Sequence, residues 1–295
     1  MPEQPIHIVT DSSAHFPPNA ALLTDRVTIV PHQIAIGGRV YHEGVDLDAE
    51  EGLRLVAHQA FAPLVEPPSV SDYQAVYERL SRQGCAILSI HASREISASW
   101  ANAKAAAAPL LGHTRLELID SGTVSTAQAL LVMLALRSIE QGKPYDDVVR
   151  LTRSAVDRVY SVYYVETLDY LIQNKIINPS HGILGTMLGI KPFITIENGH
   201  LHVMEKVRTR IQAIERLVEF AAEFTDIEDV IILQHKTHHS EQTRMLQDRL
   251  MLDFPDRTFT AALYGPSLAA LIGADATGLV ILESEDAHAQ ETELL

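Results

Sequence analysis

The stretch "IVTDSSAHFP", residues 8–17, begins with the apolar pattern of a buried β-strand and then changes character. Asp11, Ser12 and Ser13 follow one another where such a strand leaves its sheet. Short polar side chains at this point close a turn or cap a helix, because they hydrogen-bond to the backbone nearby. They also offer hydroxyl and carboxylate groups to a ligand, so the surrounding sequence has to distinguish the two uses.

Strand and helix patterns alternate through roughly the first 165 residues. The strand patterns "IHIVTD", "CAILSI" and "RLELID" are separated by helical stretches, which is typical of a parallel sheet covered on both faces. The second half contains the hairpin signal Asn198-Gly199 between apolar runs and predicts a mixed or antiparallel sheet. We therefore predict an α/β fold of two domains, an N-terminal parallel α/β domain at residues 1–165 and a C-terminal α+β domain at residues 166–295.

Three of the predicted strands end in the same kind of polar turn. Ser12 follows the first strand, Ser93 the second and Ser121 the third, and Ser97 lies one helical turn beyond Ser93. The carboxyl ends of parallel strands share one edge of the sheet, where ligands bind in open α/β folds. Helix N-termini at that edge add free N–H groups that favour an anion. Capping explains each serine on its own, whereas the three turns together favour a ligand.

The composition argues against several classes of function. The chain has 295 residues with 38 acidic and 23 basic side chains, a formal net charge of −15. Such a surface repels phosphate backbones and anionic bilayers, so we expect neither nucleic-acid binding nor stable membrane insertion. The single cysteine, Cys85, leaves no internal disulfide and is typical of a reducing compartment. The N-terminal stretch lacks the pattern of a signal peptide, and we expect a cytoplasmic location.

No motif identifies a nucleophile, a nucleotide site or a metal site. The sequence lacks the G-x-S-x-G elbow, the dinucleotide-binding glycine pattern and the P-loop. His235, His238 and His239 have no cysteine or carboxylate pattern beside them, so we interpret "HKTHH" as a solvated loop. We therefore expect no catalytic residue, no metal and no cofactor.

Apolar helical stretches at 126–139, 183–190 and 263–272 could form the walls of a slot for a hydrocarbon tail. Burying one methylene group contributes ~0.8 kcal/mol, so a chain of about sixteen carbons gains ~12 kcal/mol before ordering costs are subtracted. A polar head group on such a tail must be hydrogen-bonded, because its unpaired burial would cancel much of that gain.

The chain resembles the DegV family of bacterial fatty-acid-binding proteins along nearly its whole length. The resemblance begins with "IVTDSSAHFP" and continues through further stretches in the same order: "GGRVYHEGVDLDAEE" at 37–51, "PSVSDYQAVYERL" at 68–80, "SREISASWANA" at 93–103, "IDSGTVSTAQALLV" at 119–132, "VETLDYL" at 165–171, "MLGIKPFITIENG" at 187–199 and "EKVRTRIQAIERL" at 205–217. The resemblance implies the two-domain fold described above and a buried long-chain fatty acid or related amphiphile. It also implies a non-catalytic carrier that presents the head group to a fatty acid kinase.

The sequence departs from the family pattern at positions that the resemblance assigns to the head group. Val65, Glu66 and Pro67 stand where the family has the sequence Thr-Ser-Gln. Arg94 replaces the second of two serines. Leu271 takes the place of a histidine, and Asn174 begins a replacement of a Gly-Gly-Arg sequence. Arg94 carries a guanidinium that could take the place of the lost hydroxyl as a charge-assisted partner of a carboxylate. It could equally be a solvent-facing residue in the first turn of a helix.

These considerations give a set of candidate site residues. We expect the head group to contact Ser93, Arg94, Ser97 and Ser69, with Ser12 and Ser121 at the mouth of the pocket. Arg208 and Arg210 match a basic motif of the family, and the resemblance implies that this motif docks the partner kinase or has a structural role. In the structural role, the pair would bridge to a nearby acidic side chain such as Glu205.

Two alternatives remain open from the sequence. The Asp11-Ser12 and Asp120-Ser121 strand ends could form the active site of an enzyme that acts on a small carboxylated or phosphorylated substrate. The chain could also be a regulatory protein with a degenerate pocket, filled by a bulky side chain such as Trp100 or Met187. A strongly shifted pKa in a roomy polar cleft would favour the enzyme.

Overall fold

The computed structural model describes residues 4–18, 20, 25–177 and 189–285. These residues form three β-sheets, and α-helices pack between and around them. Residues 183–188 of the helix predicted at 183–190, including Met187, lie outside the described residues.

The first sheet is parallel throughout, with the strand order β2-β1-β6-β7. Every residue of the central strands β1 and β6 is buried, as expected for strands covered on both faces. One face packs against α2 and α3, and the other packs against α4. The bounds of these elements are β1 Ile6–Asp11, β2 Val27–Val30, α2 Val70–Arg82, β6 Ala86–His91, α3 Ser99–Ala107, β7 Leu116–Asp120, α4 Thr126–Glu140 and α5 Tyr145–Ser154.

A small antiparallel sheet lies beside the first and has the order β4-β3-β5. Its strands are β3 Gln33–Ile36, β4 Arg39–His42 and β5 Leu64–Glu66. Gly37 and Gly38 join the first two with positive φ angles, which a two-residue hairpin turn favours. Helix α1, Ala49–Ala57, follows and is capped by Asp48, whose side chain accepts a hydrogen bond from the Glu51 N–H.

The third sheet has six strands in the order β10-β9-β8-β13-β11-β12 and is antiparallel except for the last pair. Helices α7 and α8 cover one face of it, while α4 packs on the other. The bounds are β8 Val159–Tyr164, α6 Asp169–Gln173, β9 Lys191–Glu197, β10 His200–Val207, α7 Arg210–Ala222, β11 Ile227–Gln234, α8 Glu241–Asp253, β12 Thr260–Leu263, α9 Pro266–Ile272 and β13 Thr277–Glu283.

The prediction of a parallel α/β part followed by a mixed-sheet part is confirmed. Strand β8 is hydrogen-bonded between β9 and β13 of the third sheet, although it precedes residue 165. The exact domain boundary at 165 stays a prediction.

Helix α4 joins the two main sheets. Twelve of its fifteen residues are buried, because one side contacts β1 and β6 and the other contacts β8 and β13. A helix that is apolar on nearly all sides is stable only when it is enclosed in this way. One hydrophobic cluster therefore runs continuously from the first sheet to the third.

Candidate functional site

A cavity of about 240 Å³ lies at the carboxyl edge of the parallel sheet. Its walls come from the segments that follow β1, β2, β6 and β7, together with β5 and the helix α9. The lining residues are Ser13, His32, Pro63, Leu64, Val65, Pro67, Ala92, Ile96, Ser97, Ala98, Val124, Asn174, Ser267, Ala270 and Leu271. The cavity thus occupies the edge where open parallel sheets bind ligands.

Polar and apolar groups share the wall of this cavity. The polar side chains are those of Ser13, His32, Ser97, Asn174 and Ser267, and none of the described lining residues is a lysine or an arginine. The remaining side chains are aliphatic or proline. This combination suits a ligand with a small polar head and an apolar body.

Asp11 forms the centre of a buried hydrogen-bond network beneath the cavity. Its carboxylate accepts hydrogen bonds from Ser99 Oγ at 2.5 Å, His91 Nδ1 at 3.1 Å and the Ala92 N–H at 3.3 Å. Ser13 Oγ also donates to it, and Ser13 lines the cavity. The network fixes the turn after β1 in place.

The pKa of Asp11 reflects these contacts. Burial alone raises the pKa of this carboxyl group, but the hydrogen bond from His91 and the nearby imidazole of His32 outweigh that effect and lower it well below its ordinary value. Asp11 is therefore ionised across the physiological range, with its charge held inside the protein.

The same network contains the contacts of an Asp-His-Ser triad. His91 lies between Asp11 and Ser89, with its Nδ1 3.1 Å from the Asp11 carboxylate and its Nε2 2.7 Å from Ser89 Oγ. Both His91 and Ser89 are fully buried, and neither lines the cavity. Tyr77 closes the site by a hydrogen bond of 2.7 Å between its hydroxyl and Ser89. A substrate in the cavity has no route to this serine, so the arrangement is structural.

A second buried network surrounds Glu43, just after β4. Its carboxylate accepts hydrogen bonds from Ser12 Oγ at 2.8 Å and from the Ser267 N–H at 3.0 Å, and Ser267 Oγ also donates to it. Burial raises the pKa of Glu43, although His32 and these hydrogen bonds act in the opposite direction. Because Ser267 lies in the first turn of α9, Glu43 connects the edge of the first sheet to the C-terminal part of the chain.

The predicted site residues do not all meet in one place. Ser97 lines the cavity, and its Oγ accepts a hydrogen bond from the Ser99 N–H at 3.2 Å. Ser12 lies behind the wall, where its hydroxyl contacts Glu43 and His32. Ser97 alone among the six predicted ligand contacts is a lining residue.

Ser93 and Arg94 face a different groove, an open one of about 640 Å³ beside the hairpin of β9 and β10. Ser93 Oγ donates to the Gly199 carbonyl at 2.9 Å. The Arg94 side chain is 60% exposed and pairs with Asp120 and Glu95, each at 3.4 Å. Arg94 is thus a lining residue of this groove and not of the cavity, and its role as a partner of the head group stays a prediction.

Ser69 and Ser121 make local contacts. Ser69 is the N-cap of α2, in a reciprocal capping box with Asp72. Ser121 Oγ donates to the Thr123 carbonyl at 3.0 Å and thereby closes its own turn. Both are explained by the capping role that the sequence also allows.

The departures from the family pattern cluster in the cavity. Val65, Leu271 and Asn174 all line it, whereas Glu66 is exposed at the end of β5. Trp100 is half-buried, with the Lys104 ammonium 4.9 Å from the centre of its ring, and is not a lining residue. The cavity is therefore changed in composition and is not filled by this side chain.

His32 and Glu43 were not predicted as site residues from the sequence. His32 follows a proline after β2, and no neighbouring residue in the sequence marks it as part of a site. Glu43 lies in a polar stretch, where an exposed side chain is expected. Their contacts form only when β2, β4 and α9 come together, so no local pattern reveals them.

The predicted docking pair is divided. Arg208 lines an open groove of about 580 Å³ between β10 and α7. Arg210 instead pairs with Glu166, at 2.7 Å between Nε and Oε1, and Lys191 binds the same carboxylate.

Within the part of the chain that the structure describes, no group of three or more metal-binding side chains is found. The described helices also include none with the length and apolar character needed to cross a bilayer.

A family model described as "Uncharacterised protein, DegV family" matches residues 5–284. The chain belongs to the DegV family. Among curated DegV proteins, a DegV domain-containing protein of Streptomyces coelicolor is 29% identical over 91% of this chain and 94% of its own length. A DegV domain-containing protein of Halalkalibacterium halodurans is 27% identical over 93% of this chain and 97% of its own length.

Solved DegV structures share the whole fold. A fatty acid binding DegV family protein from Streptococcus agalactiae superimposes with a TM-score of 0.84 at 24% identity, covering 96% of this chain and 100% of that one. The Fatty Acid Kinase B3 protein of Streptococcus pneumoniae, loaded with linoleic acid, gives a TM-score of 0.81 at 19% identity, covering 95% of this chain and 100% of that one. These similarities confirm the predicted two-part α/β architecture.

Proposed function

We propose that this DegV protein is a non-catalytic carrier that binds a long-chain fatty acid or a related amphiphile and presents its head group to a partner. The observation that carries the proposal is the cavity at the carboxyl edge of the parallel sheet, which combines a few polar side chains with aliphatic walls. The membership in the DegV family and the fatty acids named for the Streptococcus agalactiae and Streptococcus pneumoniae proteins support it.

The size of the cavity determines which part of the ligand it holds. Its volume of about 240 Å³ lies just below the ~300–1,000 Å³ of typical small-molecule sites. We assign it to the head group and the adjoining part of the tail. Each further methylene that is buried contributes ~0.8 kcal/mol, so affinity comes from the tail and selectivity from the head.

The contacts around the cavity favour binding over catalysis. Asp11, His91 and Ser89 have the order of contacts of a triad but are fully enclosed. Asp120 lies at the other groove, paired with Arg94, so the two Asp-Ser strand ends do not converge on one substrate. No cofactor is needed for a protein that only binds and presents its ligand.

We assign the partner contact to the groove between β10 and α7. Arg208 is exposed there and its side chain is free of the ion pair that holds Arg210, so it is the stronger of the two candidates. A kinase that phosphorylates the presented carboxylate is the partner that the Streptococcus pneumoniae protein suggests by name, and it would place the carrier in the cytoplasm. Replacement of Arg208 by alanine should weaken kinase-dependent phosphorylation of the bound acid and leave ligand binding unchanged.

The ligand proposal is tested by extracting the purified protein with organic solvent and analysing the extract by mass spectrometry. The native chain should release an acyl compound, or take up added hexadecanoic acid. In Leu271→Trp a large ring enters the cavity and should reduce the bound acyl compound at least tenfold. The matched control Leu252→Trp places the same ring on the surface, where Leu252 is 71% exposed, and should bind normally. A native chain that neither releases nor takes up an acyl ligand would refute the proposal.

A further inference from the structure

We infer that a carboxylic acid binds the cavity together with one proton, which His32 holds between the ligand head group and Glu43. The inference rests on the proposed function and specifies how the head group is recognised. It assigns His32 as the head-group contact and Ser12 and Glu43 as the residues that set its protonation.

His32 is an imidazole buried at the cavity wall with one free nitrogen. The residue is 2% exposed and lines the cavity. Its Nδ1 lies 3.2 Å from Ser12 Oγ, and its backbone N–H donates to the same oxygen at 2.8 Å. Its Nε2 has no hydrogen-bond partner among the described residues. Because His32 lines the cavity, a ligand there can supply the partner for this nitrogen.

The protons along the chain Glu43-Ser12-His32 can be assigned one by one. The Ser12 hydroxyl carries one hydrogen and donates it to Glu43 Oε2 at 2.8 Å. The remaining contact between Ser12 Oγ and His32 Nδ1 then requires the hydrogen on Nδ1. In the form with an ionised Glu43 and a single hydrogen on the ring, Nε2 carries no hydrogen and is an acceptor at the cavity wall.

An acceptor nitrogen distinguishes an acid from an alcohol. A carboxylate oxygen and an unprotonated Nε2 are both acceptors, so they repel unless a proton lies between them. An alcohol donates its own hydrogen and needs no additional proton. When the acid binds, one proton is taken up from solvent and the ring of His32 becomes an imidazolium. This ring then donates to the ligand carboxylate through Nε2 and to Ser12 through Nδ1, and Ser12 donates to the Glu43 carboxylate.

The same count holds when Glu43 carries the proton. Its carboxyl group then donates toward Ser12, the Ser12 hydroxyl turns to donate to His32 Nδ1, and the ring presents Nε2–H to the ligand. The buried position of Glu43, which raises its pKa, favours this form at lower pH. The ligand carboxylate and the chain thus share one proton, whichever atom carries it.

The other charged groups near His32 do not supply the missing charge. Asp11 is ionised and its carboxylate is engaged by His91 and Ser99, so it adds negative charge near the ring. The pKa of His15 is lowered to about 4 by burial, so this imidazole is neutral at physiological pH. The described lining residues include no lysine or arginine. A proton is therefore the available counter-charge for a bound carboxylate.

The test compares decanoic acid with 1-decanol as probes of the native protein by titration calorimetry from pH 6 to pH 9. The affinity for the acid should fall toward about tenfold per pH unit in the alkaline part of this range, with uptake approaching one proton, while the affinity for the alcohol stays constant. A flat profile for the acid, or equal slopes for both probes, would overturn the inference. A protein that binds neither probe would instead refute the proposed function.

Two variants test the chain itself. In Glu43→Gln the side-chain amide can donate to Ser12, so the Ser12 hydroxyl can donate to His32 Nδ1. The hydrogen of the ring then lies on Nε2, at the cavity. The affinity for the acid should therefore change less than threefold per pH unit. His32→Gln supplies an amide donor in place of the ring and should also flatten the profile. His7→Gln is the matched control, because His7 is another buried imidazole, in β1, that contacts Thr28 and not the cavity, and it should retain the native slope. Retention of the native slope in both test variants would overturn the assignment.

Discussion

Replacing Asp11 by asparagine tests whether the buried network beneath the cavity stabilises the protein. The substitution keeps the size and shape of the side chain and removes its charge. Asp11 Oδ1 accepts from Ser13 and from Gln128 Nε2 at 3.2 Å, and an amide oxygen in this place can still do so. Its Oδ2 accepts from Ser99, His91 and the Ala92 N–H, and an amide nitrogen there cannot accept.

The expected loss of stability follows from these three donors. Ser99 can rotate its hydroxyl and His91 can change tautomer, so both can adapt to an amide N–H. The backbone N–H of Ala92 cannot adapt and is left facing another donor in a buried site. A buried group left unpaired costs ~1–3 kcal/mol, and the loss of a charge-assisted hydrogen bond adds a similar amount. We expect Asp11→Asn to lower the free energy of unfolding by about 3 kcal/mol.

The effect should depend on pH in a defined direction. The pKa of Asp11 in the folded protein lies below its ordinary value, so the unfolded chain binds more protons in acid. The stabilisation is fully present above the ordinary pKa of about 4 and is lost as the pH falls toward the folded pKa. The difference between native protein and Asp11→Asn should therefore be largest near pH 7 and shrink below pH 4.

Urea unfolding at pH 7 and pH 3 provides the measurement. The matched control is Asp120→Asn, which changes the last residue of β7, the strand end most similar in sequence. Asp120 is 24% exposed and accepts from the Gly122 N–H at 3.0 Å, so we expect its loss to cost less than about 1 kcal/mol. If Asp11→Asn is no more destabilising than Asp120→Asn, or if its effect is the same at both pH values, the reasoning is wrong.

Two further substitutions have expected outcomes. Burial raises the pKa of Asp275 to about 6, so the folded protein binds more protons than the unfolded chain between pH 4 and pH 6, and stability is lost as the pH rises through that range. Urea unfolding of Asp275→Asn should show roughly 2 kcal/mol of stabilisation at pH 8 and little at pH 4, and equal differences at both would contradict this. Gly52→Ala places a methyl group against the Pro266 ring and should cost roughly 2 kcal/mol in thermal or urea unfolding by separating α1 from α9. Glu50→Ala on the exposed side of α1 is the control, and an equal effect of both would count against tight packing there.

The fold was predictable because its signals are local. The alternation of strands and helices, the glycine pair at Gly37-Gly38 and the hairpin at Asn198-Gly199 each depend on a few neighbouring residues. The caps at Asp48 and Ser69 are likewise local, because each side chain accepts a hydrogen bond from a backbone N–H three residues later. The sequence did not predict that β8, which ends at residue 164, belongs to the third sheet. The strands that pair with it, β9 and β13, come from the second half of the chain.

The site was only partly predictable, because similar turns have different surroundings. Ser93 and Ser97 are four residues apart, yet one bonds to the hairpin at Gly199 and the other faces the cavity. Ser121 closes its own turn. Sequence gives the residue type at a strand end, whereas the direction of the side chain depends on the element that packs over it.

Under the proposed function, the two buried carboxylates would make the small cavity selective for its ligand. Asp11 and Glu43 are fully enclosed beneath its polar side, and each holds a lining serine by a hydrogen bond, Ser13 in the first case and Ser267 in the second. Side chains held in this way have little freedom to turn toward a poorly matched head group, so a mismatch leaves an unpaired polar atom at a cost of ~1–3 kcal/mol. Each buried methylene of a bound tail would add about the same increment of affinity, ~0.8 kcal/mol, whatever the head group. Discrimination between head groups would then depend on the few fixed polar atoms at the edge of the sheet, and a change that loosens them should alter selectivity more than affinity.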